Sequence, residues 1–354
     1  MKIDDIAKLA NVSKSAVSLA LNGKPGVSEE TRNNILKIAE QNGYAPRTLI
    51  KTGAHQKNNS KILRFVACTN IGIVTEQYQS LSFFMELINT IDQTISEKDY
   101  SLIISSINSK NLEEEISQLE QEQKSAGILL LGTNLTANQI NIVAKQQPKL
   151  VVLDTCFETL DVNFVVMNNF LGAFRAGEHL AKLGHKKIGY VQSNSRMYNF
   201  DERKRGFMKA TSDHNLEVDK NHLYSISPTL VSSQDVFKQK ILENGDNLPT
   251  ALFCECDYMA ISVIKALAEL GIKSPETISV MGFDNIFEAQ IVSPELTTIH
   301  VKKDSIATMA VDKLIKQIEE NDNAKMKIFV DTELVERKSC RENNSLEVSS
   351  LVGE

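Results

Sequence analysis

Small polar side chains near the N-terminus stand at positions from which they could bind DNA. Residues 3–23, IDDIAKLANVSKSAVSLALNG, predict two short helices joined by a tight turn, and VSEETRNNILKIAEQNG predicts a third. Hydroxyls and cations at helix starts bind phosphate oxygens, and the N-terminal residues of a helix in the major groove reach base edges. The candidate DNA-binding residues are Ser13, Lys14, Ser15, Ser18, Leu19, Asn22, Ser28, Thr31 and Arg47. This pattern predicts a small all-α helix-turn-helix head, with a generic three-helix bundle as the alternative.

The apolar residues of the three head helices recur at helical spacing and should form one small core. The predicted core positions are Ile6, Ala7, Leu9, Ala10, Ala16, Val17, Ala20, Leu21, Ile35, Leu36, Ile38 and Ala39. Residues 1–60 hold nine Lys and Arg against five Asp and Glu, a balance of +4, whereas the whole chain has −6, so the remainder carries −10. A basic head on an acidic body is typical of a nucleic-acid contact joined to a domain with another role.

Acidic residues follow the ends of three predicted strands in the remainder of the chain. Asp154 follows KLVVL, Asp257 follows ALFCE and Asp284 follows ISVMGF. From residue 62 onward, apolar strands alternate with amphipathic helices, which predicts an α/β body of parallel sheets flanked by helices. Two successive sets of these units predict two lobes, and ligands bind beyond the carboxyl ends of such strands. The three acids are therefore candidate ligand-binding residues, although each could instead cap a helix, above all Asp257.

The head resembles the DNA-binding domain of the lactose-repressor (LacI/GalR) family of bacterial transcription regulators. The resemblance rests on IDDIAKLANVSKSAVSLALNG, VSEETR and GYAP. Two positions depart from the family pattern: Ala16 stands where a Thr is usual, and Leu19 stands where many members carry a base-reading Arg. Leu19 could instead contact a thymine methyl group. The operator is therefore expected to differ from the commonest family consensus.

The body resembles the effector-binding domain of the same family, which is similar to periplasmic sugar-binding proteins. HLAKLGHKKIGYV, ERKRGF, LPTALFCECDYMAISVIKALAELGIKSPETISVMGFDN and SPELTTIHV carry this resemblance. It implies that Phe83 and Phe84 pack against an effector ring, and that Arg203 and Asp284 bind its polar edge. Core packing of the two Phe side chains and a surface or inter-lobe ion pair of Arg203 are the alternatives. Asn168 stands where an acid is common, and the loss of that acid either alters the polarity of the ligand or makes a helix cap neutral.

The resemblance also implies an order of domains along the chain. We expect a head at 1–46, a hinge at 47–61, a two-lobed effector-binding and dimerisation domain at 62–342 and a polar tail at 343–354. The first lobe should hold about 62–162 and 293–324, and the second about 163–292 and 325–342. Family members insert a hinge-helix Leu into the minor groove, but Gly53 occupies that position here. The hinge therefore forms either a helix with Leu49 or Ile50 as the wedge, or a flexible tether.

These features predict a transcription regulator, a repressor in most family members, that binds a pseudo-palindromic operator in double-stranded DNA as a homodimer. A sugar or related metabolite, or alternatively a nucleobase-type corepressor, would bind between the lobes and change operator affinity. A solute-binding protein of a transport system shares the two-lobed body but requires export, and the N-terminus has no apolar signal segment. The lack of a membrane span and the five scattered cysteines favour the cytoplasm. The tail has no leucine heptad repeat, which favours a dimer over a tetramer.

No sequence motif indicates an enzyme or a cofactor. G-x-G-x-x-G, a P-loop and H-E-x-x-H are all absent from the sequence. Cys254-Glu255-Cys256 could suggest a metal site, but alternate residues of a strand without a second Cys pair favour packing instead. We therefore expect neither catalysis nor a bound cofactor.

Overall fold

The computed structural model describes residues 3–10, 12–21, 27–41, 61–69, 73–75, 77–229 and 234–343. The chain divides into two compact units, Met1–Asn59 and Ser60–Glu354. Asn22, Arg47, the candidate hinge wedge and residues 344–354 of the polar tail lie outside the described residues. Within the described part of the chain, no helix is long and apolar enough to cross a membrane.

The described part of the first unit contains three short helices, as predicted. They are α1 (Ile3–Leu9), α2 (Lys14–Leu21) and α3 (Glu29–Gln41). The buried side chains of their shared core are Ile6, Ala7, Val17, Ala20, Ile35 and Ala39. Ser13 Oγ accepts a hydrogen bond from the N–H of Ala16 at 3.2 Å, so Ser13 caps the start of α2. Ser28 Oγ accepts the N–H of Thr31 at 3.2 Å and caps α3 in the same way.

Two residues predicted for the head core are exposed instead. Leu9 is 58% exposed and Leu36 is 40% exposed. Successive residues of an α-helix are rotated by about 100°, so Leu36 projects away from the buried side chain of Ile35. On α1, Leu9 projects about 110° away from the direction midway between the buried side chains of Ile6 and Ala7, at about 100° per residue. The prediction was wrong for these two residues: they are apolar, but their positions around the helix turn them away from the core.

The second unit contains two lobes, each built on a six-stranded sheet. The first sheet consists of β1 (Ile62–Thr69), β2 (Ser101–Asn108), β3 (Gly127–Leu131), β4 (Leu150–Leu153), β5 (Asn163–Met167) and β11 (Lys327–Val330). Its strand order is β11-β5-β4-β3-β1-β2, and all the pairs are parallel. The helices of this lobe are α4 (Ser82–Ser96), α5 (Leu112–Glu122), α6 (Ala137–Gln146) and α11 (Lys303–Glu319). Strands β3, β4 and β5 are buried along their whole length, as expected for a sheet covered on both faces.

The second sheet repeats this arrangement. Its strands are β6 (Ile188–Ser193), β7 (Leu223–Ile226), β8 (Ala251–Cys254), β9 (Ser279–Asp284), β10 (Thr297–His300) and β12 (Glu333–Val335). The order is β12-β10-β9-β8-β6-β7, with β12 alone antiparallel to its neighbour. Its helices are α7 (Asn169–Lys182), α8 (Tyr198–Asp213), α9 (Asp235–Asn244) and α10 (Asp257–Glu269). Helices α7 and α8 approach so closely at Gly206 that a side chain there would overlap the carbonyl oxygen of Phe170. The lack of a side chain in glycine therefore allows this contact.

The chain crosses between the lobes three times, each time later than the sequence predicted. Strand β5 pairs with β4 and therefore belongs to the first lobe, although 163–167 was assigned to the second. Strand β10 pairs with β9, so the return to the first lobe comes after His300 and not at residue 293. Strand β11 pairs with β5 before the last crossing. These boundaries depend on which strands pair, and apolar periodicity carries no information about the partner of a strand.

Asn168 lies at the first crossing and outside the wall of the cleft. Its Oδ1 accepts the N–H of Leu171 at 3.1 Å, which caps α7. Its Nδ2 donates to Asp331 Oδ1 at 2.9 Å, so it joins the first crossing to the third. Of the two alternatives for Asn168, the structure therefore favours the helix cap.

Asn168→Asp should destabilise the protein because it removes the hydrogen bond to Asp331, while the side chain can still cap α7. The new carboxylate would face that of Asp331, and we expect the free energy of unfolding to fall by about 1 kcal/mol. Urea unfolding measures this change. The double variant Asn168→Asp/Asp331→Asn restores a donor and acceptor pair and should recover most of the loss. Equal stability of Asn168→Asp and the unmodified protein would contradict the role given to this contact.

Candidate effector site and DNA-binding head

A cavity of about 40 Å³ lies between the lobes, where strands of both sheets have their carboxyl ends. Five of the six predicted effector-binding residues line it: Phe83, Phe84, Asp154, Arg203 and Asp284. A cavity that binds a ring as small as benzene has a volume of about 150 Å³. A ring-shaped ligand can therefore enter only if the lobes separate or side chains of the wall move.

Arg203 of α8 is held by groups from α7, from β9 and from the segment after β8. Its Nε donates to Asn169 Oδ1 at 2.9 Å, one Nη donates to the carbonyl oxygen of Glu255 at 2.5 Å, and the other donates to Asp284 Oδ1 at 3.0 Å. The guanidinium also stacks 3.8 Å above the ring of Phe283. Arg203 therefore forms a buried ion pair within the second lobe, in the cavity wall, and not the surface or inter-lobe pair that was the alternative.

Asp284 ends β9 in a backbone conformation that L-residues seldom adopt, with φ at 117°. Burial raises the pKa of its carboxyl, while the charges of Arg203 and Lys303 act in the opposite direction. Lys303 Nζ donates to the carbonyl oxygen of Asp284 at 3.3 Å and forms an ion pair with Glu86 at 2.9 Å. The two cations therefore favour an ionised carboxylate in a position that excludes most solvent.

Asp154 follows β4 and faces the second lobe. Thr133 Oγ1 donates to its Oδ2 at 2.6 Å, and Asn199 Nδ2 donates to its Oδ1 at 2.7 Å. Burial raises the pKa of the Asp154 carboxyl to about 6, against the effect of these hydrogen bonds. Because Asn199 belongs to α8, this contact joins the two lobes across the cleft.

Asp257, the sixth predicted residue, does not line the cavity. It is the first residue of α10 and is completely buried. Its Oδ1 accepts the hydroxyl of Thr298 at 2.5 Å, and its Oδ2 accepts the N–H of Ile286 at 3.0 Å. The carboxyl therefore braces α10 against β10 and the segment after β9, which is a structural role.

The burial of Asp257 predicts a pH dependence of stability. Burial, with the nearby charge of Asp284, raises the pKa of its carboxyl to about 8. At this residue the folded chain holds a proton that the unfolded chain has lost, so the contribution of Asp257 to the free energy of unfolding should decrease from pH 6.5 to 8, by up to about 1.4 kcal/mol per pH unit. Burial also lowers the pKa of His185 to about 4, and because an unfolded histidine titrates near 6.5, that group acts in the opposite direction at the lower end of this window.

Urea unfolding at four pH values between 6.5 and 8 measures this slope. The stability of the unmodified protein relative to Asp257→Asn should fall with pH, whereas its stability relative to Asp161→Asn, which changes an exposed carboxyl, should stay constant. A stability difference from Asp257→Asn that does not fall across this window would contradict the assignment.

Phe83 and Phe84 are both buried and pack edge to face, with ring centroids 5.5 Å apart. The N–H of Phe83 donates to Tyr258 Oη at 3.2 Å, so this turn of α4 also joins the lobes. Core packing and a place in the cavity wall, offered by the sequence as alternatives, are therefore compatible. Three further residues, Tyr258, Thr133 and Asn199, line the cavity, and the sequence did not predict them because their types carry no signal until the lobes are assembled.

Glu255 is the polar centre of the Cys254-Glu255-Cys256 segment. It is completely buried, and its carboxylate accepts hydrogen bonds from Tyr190 Oη, the N–H of Ser193 and Arg196 Nη1 at 2.6 to 2.8 Å. Cys256 lines the cavity, and burial raises the pKa of its thiol. Among the described residues, no group of three His, Cys, Asp or Glu could hold a metal ion. An acid within an apolar strand was the signal that could have identified Glu255.

The described candidate DNA-binding residues all lie on α2 or beside the starts of α2 and α3. Ser13, Lys14 and Ser28 are exposed, and Leu19 and Thr31 are half-buried. Ser15 and Ser18 lie within α2. Arg32 Nη1 donates to the carbonyl oxygen of Ala20 at 3.3 Å, which ties α3 to the end of α2. A short helix with a capped, polar N-terminus fits insertion into a major groove.

Comparison with known proteins agrees with this division of the chain. Residues 2–47 match the family described as "Bacterial regulatory proteins, lacI family", and residues 178–340 match the "Periplasmic binding protein-like domain". The Bacillus subtilis (strain 168) protein named "Probable HTH-type transcriptional repressor ExuR" is 32% identical over 340 residues, which cover 96% of this chain and 98% of that protein. The chain belongs to the lacI family of bacterial regulatory proteins. It is a DNA-binding transcriptional regulator with an effector-binding domain, as the sequence predicted.

A second relative and two solved structures extend the comparison of this lacI-family regulator. The "HTH-type transcriptional repressor PurR" of Histophilus somni (strain 129Pt) is 30% identical over 345 residues, 96% of this chain and 98% of that protein. The structure titled "transcriptional regulator CelR-cellobiose complex" has a TM-score of 0.68, at 20% identity, and covers 96% of this chain and 99% of that one. A lac repressor dimer bound to operator and the anti-inducer ONPF has a TM-score of 0.67 at 20% identity, with the same coverage. The two structures confirm the fold.

Proposed function

We propose that this lacI-family regulator is a repressor that binds a pseudo-palindromic operator as a homodimer, and that a small polyhydroxylated effector between its lobes changes operator affinity. The cavity wall is the observation that carries the proposal. It combines four aromatic side chains, Phe83, Phe84, Phe200 and Tyr258, with the carboxylates of Asp154 and Asp284 and the guanidinium of Arg203. Aromatic faces pack on sugar rings, and carboxylate and guanidinium groups bind their hydroxyls.

Three hydrogen bonds across the cleft suggest how binding is coupled to the angle between the lobes. Ser82 Oγ donates to Glu288 Oε1 at 2.5 Å, the N–H of Phe83 donates to Tyr258 Oη, and Asn199 donates to Asp154. An effector larger than the cavity has to displace or rearrange such contacts. Its binding therefore favours one lobe arrangement over another, which is the differential interaction that allostery requires.

The relatives support the proposal without fixing the effector. Two are named as transcriptional repressors, and one similar structure is a cellobiose complex. A nucleobase-type corepressor is the second candidate, because the same rings could stack on a purine. The candidate contacts with DNA are those of α2 and the start of α3, together with Asn22 and Arg47.

Selection of random duplex DNA by the purified full-length protein tests the proposal directly. We expect a palindromic consensus whose binding weakens steeply with salt. Operator binding is then titrated with neutral sugars, amino sugars and purines, and the sign of the change distinguishes an inducer from a corepressor. Sequence-blind binding both with and without these compounds would contradict the proposal, as would operator binding by a monomer.

A further inference from the structure

Asp154 is an unusual carboxylate in the cavity wall, because its hydrogen-bond donors are neutral. They are the hydroxyl of Thr133 and the amide of Asn199, and among the described residues no cation lies within ion-pair distance of it. The side chain is buried, and its backbone adopts a left-handed conformation with φ at 63°. Strained backbone of this kind is retained where the surrounding structure holds a residue in place, often at a ligand-binding site.

Three other acids around the cleft each pair with a cation, whereas Glu288, which accepts the hydroxyl of Ser82, forms no ion pair in the described part of the chain. Asp284 pairs with Arg203 at 3.0 Å, Glu255 pairs with Arg196 at 2.7 Å, and Glu86 pairs with Lys303 at 2.9 Å. These cations therefore form their ion pairs with other carboxylates, and the charge of Arg203 acts on Asp154 only from beyond ion-pair distance. In the described part of the cleft, Asp154 is thus the carboxylate of the cavity wall that has no ion-pair partner.

We propose that the effector carries a cationic amine that binds Asp154, as in an amino sugar. This inference rests on the proposed function and specifies the ligand of the same site. A buried charge is stable when it is paired, and a charged hydrogen bond contributes more than a neutral one. The same wall contains the rings of Phe84 and Tyr258, and aromatic rings attract cations. The carboxylate of Asp154 would repel an anionic ligand. The nearby cations that could bind an anion already pair with protein carboxylates.

The titration of Asp154 supports the same ligand. Burial raises the pKa of this carboxyl to about 6, and a bound ammonium group would stabilise the ionised form. The affinity for an amine should therefore decrease as the pH falls below about 6, whereas the affinity for a neutral sugar should change less.

Calorimetric titration of the full-length protein with four matched hexoses tests the inference. The probes are glucosamine, N-acetylglucosamine, glucose and glucuronate, followed by the galactose series. We expect an amino sugar to bind about 10- to 100-fold more tightly than its neutral counterparts, because a charged hydrogen bond replaces a neutral one. N-Acetylation removes the charge at the same nitrogen and should remove this preference.

Asp154→Asn provides the decisive variant, since it keeps the shape and removes the charge. It should reduce the preference for the amine to within a few-fold of the neutral sugar, while Asp161→Asn, on an exposed loop, should keep it. Circular dichroism and thermal unfolding establish that both variants are folded. The ligand series on the unmodified protein tests the inference even if Asp154→Asn does not fold.

Three results would overturn the inference: tighter binding of glucose or an acid sugar, an amine preference that survives Asp154→Asn, or no binding of either amino sugar at millimolar concentration. None of these would by itself contradict the proposed function. A neutral sugar that changes operator affinity would sustain the regulator and exclude the amine. Failure of operator selection would contradict the proposed function whatever the sugar titrations show.

Discussion

Arg203→Ala should abolish the response of operator binding to effector and lower the free energy of unfolding by about 3–5 kcal/mol. The substitution removes a buried cation and leaves the carboxylate of Asp284 without its partner. It also removes the donors to Asn169 and to the carbonyl oxygen of Glu255, which hold α8 against the rest of its lobe. The cost is large because a buried, unpaired charge loses its hydration without compensation.

Urea unfolding measures the stability of Arg203→Ala, and operator titration with the selected effector measures its response. Arg205→Ala is the matched control, because Arg205 lies two residues further along the same helix and its side chain is 66% exposed. Among the ion pairs of the described residues, Arg205 takes part only in the one with Glu202. We expect a change of less than about 0.5 kcal/mol and a normal response for this control. A full effector response in Arg203→Ala would exclude Arg203 from the site.

Leu19→Arg should change the operator sequence that the protein selects. Leu19 is half-buried on α2, where a longer cationic side chain could extend from the helix to a base edge. Arginine binds guanine through two hydrogen bonds, and each such pair contributes about 1–3 kcal/mol of discrimination. We therefore expect guanine to be enriched at one position of each half-site, with about 10- to 100-fold weaker binding to the original operator.

Selection of random duplex DNA by the variant measures this change. Leu9→Arg adds the same charge to the head at a position on α1 that is 58% exposed. It should strengthen binding to all sequences and increase the salt dependence without altering the consensus. If both variants select the sequence that the unmodified protein selects, then Leu19 does not face the bases.

The sequence by itself determined the elements and the family of this protein. Helical spacing and capping residues predicted the three head helices, and Ser13 and Ser28 cap them in the structure. The alternation of apolar strands and amphipathic helices predicted two lobes with parallel sheets. These properties depend on residues that are near neighbours in the chain, so the sequence pattern contains them.

The tertiary structure decided which strands share a sheet and what each acid does. The sequences of strands β5, β10 and β11 do not show to which sheet each strand belongs. The positions of the three crossings between the lobes follow only from the strand pairing. Asp154 and Asp257 both follow apolar strands, yet Asp154 faces the cavity and Asp257 braces the second lobe. The donors that settle this difference, Asn199 and Thr298, lie 45 and 41 residues away in the chain. The role of a buried carboxylate depends on such distant donors, because the free energy of the buried charge is set by the groups that the fold brings to it.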